Sequence, residues 1–314
     1  MMAKLLKLSN LKKTIYYLKK NGFRKAYYAA VERASSERKD DYHYDPLPDS
    51  VLKEQAGKAS EFSTGFSILV PTFETREEFL RALINSVLAQ TCGNWELILA
   101  DASKTDRVSE VVKEYTDSRI RYHRLKENLG ISGNTNEALK TATGEYVALL
   151  DHDDLLTEDA LFECASVIEA YRKDNLELRM LYSDEDKTDG EMTKFMDPHF
   201  KPDFNLDLLR SNNYICHLFC VRTVLARKTG GFRRAYDGAQ DYDFILRCTE
   251  LAGKIGHVSR ILYHWRCHQA STAANPDSKR YAYEAGKRAI EAHLERCHVR
   301  GLVAYTDNPG FYRV

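Results

Sequence analysis

YVALLDHDD, residues 146–154, is a short apolar run that ends on three aspartates and a histidine. A run of strand length rich in Val, Leu and Tyr reads as a buried strand, and a strand of a parallel sheet presents function at its carboxyl end. Asp151, Asp153 and Asp154 sit at that end. Carboxylates this close repel one another unless a cation neutralises them, and hard divalent ions such as Mg²⁺ or Mn²⁺ prefer carboxylate oxygens. The next segment, TEDALFE, offers a competing reading: a helix start with Thr157 as N-cap and Glu158 and Asp159 in its first turn. Capping accounts for at most one upstream acid, so a metal site is the stronger expectation.

Working outward from this stretch, the chain alternates strands and helices from Phe66 onward. FSILVP (66–71), WELILAD (95–101) and IRYHRL (120–125) read as strands. REEFLRALINSVLAQ (76–90), VSEVVKEYT (108–116) and NTNEALKTA (134–142) read as helices. That alternation predicts a parallel sheet covered by helices. Thr72, Glu74, Asp101 and the acid cluster fall at strand ends, as expected of a nucleotide crevice above such a sheet. Neither GxGxxG nor GxxxxGK[ST] occurs, so the two commonest glycine-rich phosphate cradles are absent. A divalent metal held by Asp151 and Asp153 is the natural substitute, because it can bridge two phosphoryl oxygens.

The bulk composition suits an enzyme of one large domain or two small ones: 314 residues, 43% apolar, 29% charged and formally neutral. Neutral balance argues against general nucleic-acid binding. Seven cysteines without a CxxC pair, and no signal peptide, point to a reducing, cytoplasmic setting. Cys216 and Cys220 flank His217, but they lack a second ligand pair, so zinc is disfavoured. Residues 1–39 hold eleven Lys or Arg against two Glu, with Leu5, Leu8, Leu11, Ile15 and Leu18 at helical spacing. This basic amphipathic helix could lie peripherally on the inner face of the plasma membrane or pack on protein. Residues 35–61 read as a polar linker with one short helix.

An ordered set of motifs then carries a family resemblance over about Ser67 to Arg266. VPTFE, ELILADAS, NLGISGNTNEAL, ATGEYVALLDHDD, LYSDEDK, KPDFNLDLLRSNNYICHL, GGF, QDYDFILR and LYHWRCHQAST follow one another in the order of a family 2 glycosyltransferase. The segment resembles that family, which implies the GT-A fold: an α/β, Rossmann-like, mixed but mostly parallel sheet flanked by helices, here with an N-terminal helical extension. The implied activity is inverting, metal-dependent transfer of a sugar from a nucleotide diphosphate, UDP or dTDP, to a hydroxyl of a saccharide acceptor, possibly lipid-linked. The implied setting is bacterial surface polysaccharide synthesis.

Carried over by the resemblance, Pro71, Thr72, Glu74, Asp101 and Asn128 belong to the donor pocket. Asp151 and Asp153 become the metal-binding DxD for Mn²⁺ or Mg²⁺, with His264 as a third ligand. Arg266 would face the diphosphate, since Thr135 stands where many relatives carry an Arg; Lys201 is the alternative. Asp241 of QDYD is the expected base, with an N-cap as its bland competitor, and Asp243 is expected to be structural. Alternation puts His264, Arg266 and His268 on one face of LYHWRCH and Trp265 on the other, as a core residue. Asp184 and Asp186 of SDEDK form a rival DxD, read as a charged turn with Lys187 or as acceptor contacts. The division expected is 1–61 for helix and linker, 62–275 for the catalytic domain, and 276–314 for a helix and short strands packed on it. A sugar-nucleotide nucleotidyltransferase and a non-catalytic glycan-binding module remain as alternatives.

Overall fold

Strand β1, Phe66–Thr72, is buried along its length except at Pro71. Ile68 and Val70 join one apolar layer and Leu69 the other, so this strand lies between helices on both sides. The computed structural model describes residues 42–267 and 280–314. The basic helix expected over residues 1–39, and His268, lie outside the described residues. Residues 44–314 form one compact unit.

Parallel pairing runs from β3 (Ile120–Arg124) through β2 (Trp95–Asp101) and β1 to β4 (Tyr146–Leu149). The chain order reverses at β1, and such a switch point opens a crevice over the carboxyl ends of the strands. Beyond β4 the nine-stranded sheet becomes mixed. β8 (Phe219–Arg222) runs antiparallel to both β4 and β6 (Met180–Asp189). β6 pairs in parallel with β9 (Ile255–Cys267), and β5 (Leu155–Leu156) and β7 (Phe195–His199) complete the edge. One face is covered by α2 (Glu77–Leu88), α3 (Arg107–Val112) and α5 (Ala160–Lys173). The other carries α4 (Gly130–Thr141), α6 (Leu206–Ser211), α7 (Thr223–Lys228), α8 (Gln240–Ala252) and α9 (Arg280–Arg296). This is the GT-A arrangement that the resemblance implies.

Local chemistry explains where the elements depart from expectation. α4 begins at Gly130, earlier than its apolar pattern suggests, because the preceding loop caps it. Asn128 Oδ1 accepts from the Gly130 amide at 2.9 Å, and Asn134 Oδ1 from the Leu129 amide at 3.1 Å. α5 begins at Ala160, with Asp159 rather than Thr157 at its cap position. Thr157 is drawn away by β9, its amide donating to Leu262 O at 3.1 Å. The polar linker contains α1 (Asp49–Ala59), which belongs with the main body: Gln55 Nε2 donates to Glu163 Oε1 at 3.3 Å. At the other end, α9 leads to a hairpin of β10 (Ala304–Tyr305) and β11 (Tyr312–Arg313).

The largest correction concerns SDEDK, which is no charged turn. Asp184, Glu185 and Asp186 lie in the middle of β6 and are buried at 3%, 5% and 0% exposure. Burial is tolerated because each carboxylate meets an imidazole: His257 Nε2 at 2.9 Å from Asp184, His217 Nδ1 at 3.1 Å from Glu185, and His264 Nδ1 on Asp186. No described helix is long and apolar enough to cross a membrane, and the seven cysteines are free.

The turn before β4 is packed to contact. A Cβ at Gly144 would stand 2.6 Å from the Ser67 amide nitrogen and 2.7 Å from Phe66 C, backbone atoms of β1 that cannot step aside. Gly144→Ala should therefore destabilise the protein by about 1–3 kcal/mol, read as a lower urea midpoint at unchanged slope. A midpoint equal to wild type would contradict the packing.

Candidate active site

The ends of β1 and β4, the loop before β8, the first turn of α8 and the last turns of β9 open onto one cleft. Pro71, Asp151, His217, Asp241 and Trp265 line it, and its volume is ≈ 590 Å³, within the range of about 300–1,000 Å³ usual for small-molecule sites. Asp241 stands in the first turn of α8, two residues past the N-cap position held by Ala239, so it is not a cap. Asn213 Nδ2 donates to its Oδ2 at 2.9 Å. Burial pushes the Asp241 carboxyl up from its ordinary value and Asp151 adds to this, while His217 opposes them. Asp243, on the next face of the helix, is fully buried and ion-paired with Arg233 and, at 2.8 Å, with Arg247.

The acid loop after β4 is fastened from behind. Asp154 is fully buried, accepting from Tyr263 Oη at 2.5 Å and from the Arg266 amide at 2.8 Å. Burial first, then Asp153 and Asp151, push its pKa well above the usual carboxylate range. Asp151, by contrast, keeps half its side chain exposed to the cleft, with Oδ2 3.8 Å from His217 Nε2.

A family profile described as glycosyl transferase family 2 matches residues 67–229, more than half of the chain. The chain belongs to glycosyltransferase family 2. It is 44% identical to the protein y4gI of Sinorhizobium fredii over 235 residues, 73% of this chain and 25% of that one. It is 36% identical to the O-antigen biosynthesis protein RfbC of Myxococcus xanthus over 233 residues, 73% of this chain and 18% of that one. The chain thus spans a quarter or less of these relatives. The crystal structure of S. aureus TarS 1–349 in complex with UDP-GlcNAc superposes with a TM-score of 0.59 at 21% identity, covering 73% of this chain and 66% of that one. That likeness shows the fold.

In this family 2 chain the residues expected from the sequence fall in different places. Pro71, Asp151 and Asp241 meet in the cleft. Thr72, Glu74, Asp101 and Asn128 are not among its lining residues; they are engaged in hydrogen bonds that hold loops at the ends of the parallel strands. Asp101 is fully buried and accepts from the Thr72 hydroxyl at 3.2 Å, the Ser103 amide at 3.0 Å and Tyr122 Oη at 2.7 Å. Glu74, at φ 50°, accepts from Thr105 Oγ1 and the Lys104 amide, each at 2.7 Å, which lowers its pKa.

The structure places several of the expected residues elsewhere. His264 is not beside Asp151 and Asp153: it pairs with Asp186 and packs against the rings of Tyr44 and Phe195, each centroid at 4.5 Å. Arg266 cannot turn to a diphosphate, because its guanidinium is buried against the Phe79 ring and donates to Asp153 O at 2.6 Å, Gly190 O at 2.7 Å and Met192 Sδ at 3.1 Å. Lys201 is likewise occupied, donating to Ile215 O at 2.7 Å and to His217 O beneath the loop before β8. Trp265, expected in the core, packs against it while partly buried and also lines the cleft.

His217 was the residue that sequence reasoning passed over. Its ring stacks on Tyr263 at 4.5 Å, and the Glu185 carboxylate accepts from its backbone amide at 3.1 Å as well as meeting Nδ1. Burial disfavours a charged ring there, but Cys216 and Glu185 outweigh it and push the imidazole pKa well up. The available signal was NYICHL within the family's ordered motifs, obscured by the two flanking cysteines. Among the described residues, Asp151, Asp154 and His217 each offer a donor atom within 4.8 Å of the others. Of these, Asp154 is already held by Tyr263 and the Arg266 amide, so Asp151 and His217 are the pair open to a divalent cation, for which an oxygen and an imidazole nitrogen are suitable donors.

Burial opposes ionisation of Glu185, but Lys201, His199 and His217 outweigh it and hold its carboxyl well below the usual range. A depressed folded-state pKa contributes stability that is complete above the unfolded value of about 4.3 and is lost as pH falls through the folded one. Glu185→Gln, which leaves Lys201 buried without its counter-charge, should cost on the order of 3 kcal/mol at pH 7. The gap from wild type in denaturant titrations should narrow only below about pH 4; a gap that is constant down to pH 2 would contradict the pairing.

Proposed function

We propose that this chain is an inverting glycosyltransferase that moves a sugar from a UDP- or dTDP-sugar to a hydroxyl of a saccharide acceptor, lipid-linked, in bacterial surface polysaccharide synthesis. The observation that carries the reading is that Asp241 and Asp151, contributed by elements 90 positions apart in the chain, face one cleft above the switch point of the sheet. The O-antigen role named for RfbC and the UDP-GlcNAc held by TarS support the choice of pathway and donor.

An acceptor hydroxyl is a poor nucleophile, and Asp241 is placed to take its proton as the bond to the anomeric carbon forms. The Asn213 amide fixes one carboxylate oxygen, leaving the other for the acceptor. A carboxyl raised by burial is the better base near neutral pH. Asp151 and Asp153 would hold Mn²⁺ or Mg²⁺, which supplies charge neutralisation to the departing nucleoside diphosphate. Trp265, which lines the same cleft as both acids, offers an apolar face to a sugar ring. Attack from the side of Asp241, opposite the diphosphate, inverts the anomeric centre. The basic amphipathic segment 1–39 would hold the enzyme at an anionic membrane surface, where lipid-linked acceptors reside.

Two measurements test this reading. UDP or dTDP with Mn²⁺ should raise the melting temperature more than either alone, since ligands that bind only the folded state stabilise it; no shift from any nucleoside diphosphate would sink the proposal. Asp241→Asn should lower kcat by about 10²–10⁴-fold while keeping the UDP-dependent shift. In the wild type, kcat/KM should fall on the acid side with an apparent pKa above that of an ordinary aspartate. Turnover of Asp241→Asn at the wild-type rate would remove the base assignment.

A further inference from the structure

His217 is held in the manner of a metal ligand. Metal-binding imidazoles almost always use their second ring nitrogen to engage a carboxylate, which fixes the tautomer and raises the basicity of the free nitrogen. Here Nδ1 lies 3.1 Å from Glu185 Oε2, on a carboxylate that is itself buried. Glu185 is unavailable for a second task, since Oε2 also accepts from the His217 amide and Oε1 faces His199. The remaining nitrogen, Nε2, points to Asp151 Oδ2 at 3.8 Å. Two donors bound to one ion at about 2.1 Å each stand no more than about 4.2 Å apart, so a single cation can bridge this pair. The Tyr263 ring, parallel to the imidazole within 10°, prevents it from swinging away.

We infer that His217 is the nitrogen ligand of the divalent cation in this enzyme, binding through Nε2 opposite Asp151, with Glu185 positioning the ring. The inference rests on the proposed transferase site and deepens it. It assigns to the loop before β8 the role that the sequence suggested for His264. The Nε2 lone pair forms the bond to the cation, and a ring that carried a proton there releases it to solvent, so affinity rises with pH. Cys216 Sγ lies 3.9 Å from the same nitrogen, but a thiol has low preference for Mn²⁺ or Mg²⁺.

Pulsed electron paramagnetic resonance of Mn²⁺ on the full chain, with UDP present, reads the ligand directly. Nitrogen modulation from a directly bound imidazole is expected in the wild type, and it should change when the histidines carry ¹⁵N. It should persist in His264→Gln and vanish in His217→Gln, with Mn²⁺ binding weakened at least about tenfold. If His217→Gln does not fold, a wild-type spectrum without nitrogen modulation still overturns the assignment. Mn²⁺ held without nitrogen modulation overturns the assignment of His217 and leaves the transferase reading intact. Failure to hold Mn²⁺ at all in the presence of UDP overturns both.

Discussion

Three consecutive carboxylates buried in one strand, Asp184, Glu185 and Asp186, are the constraint around which the cleft is built. An unpaired carboxylate in a protein interior costs several kcal/mol, so β6 can exist only with partners delivered to it from elsewhere. His257 and His264 come from β9, while His217 comes from the loop before β8 and Lys201 from the segment after β7. The same pairing fixes the height and aim of β9. Its register against β6 shifts on either side of Asp184, and irregularities of this kind re-aim side chains beside active sites. Tyr263 and Trp265 are turned toward the acid loop as a result.

What could be read in the sequence was what local pattern controls. The strands β1 to β4, the helices between them and the acids at the strand ends are written in short-range periodicity, and the structure has them within a few residues. The acids of β6 were unreadable for the opposite reason: their partners lie 32 to 78 positions away in the chain, and an isolated SDEDK looks like a turn. The β9 strand shows the boundary between the two cases. Alternation correctly separated His264 and Arg266 from Trp265, but which of those faces meets the cleft is decided by tertiary packing. The chemistry was therefore expected from the wrong side of a correctly drawn strand.

Arg266 illustrates what that misassigned face does instead. Its amide holds Asp154, its guanidinium holds Asp153 O and the turn at Gly190, and the Phe79 ring lies against it. With Tyr263, three residues earlier in the same strand, bonded to Asp154, the loop that presents Asp151 is set before any ligand arrives. Polar groups fixed in advance do not have to reorganise during reaction, which is where much of their electrostatic advantage arises.

The cleft also has a wall that does not come from the sheet. Tyr281, Tyr283 and Gly286 of α9, together with Tyr312 of β11, line it, and a Cβ at Gly286 would come 2.4 Å from Tyr312 Oη. The family profile ends at residue 229, well before this helix. Sequence drift in the last few dozen residues can thus reshape one side of the cavity while the strands bearing Asp151 and Trp265 stay as they are, which separates inheritance of the reaction from inheritance of its selectivity.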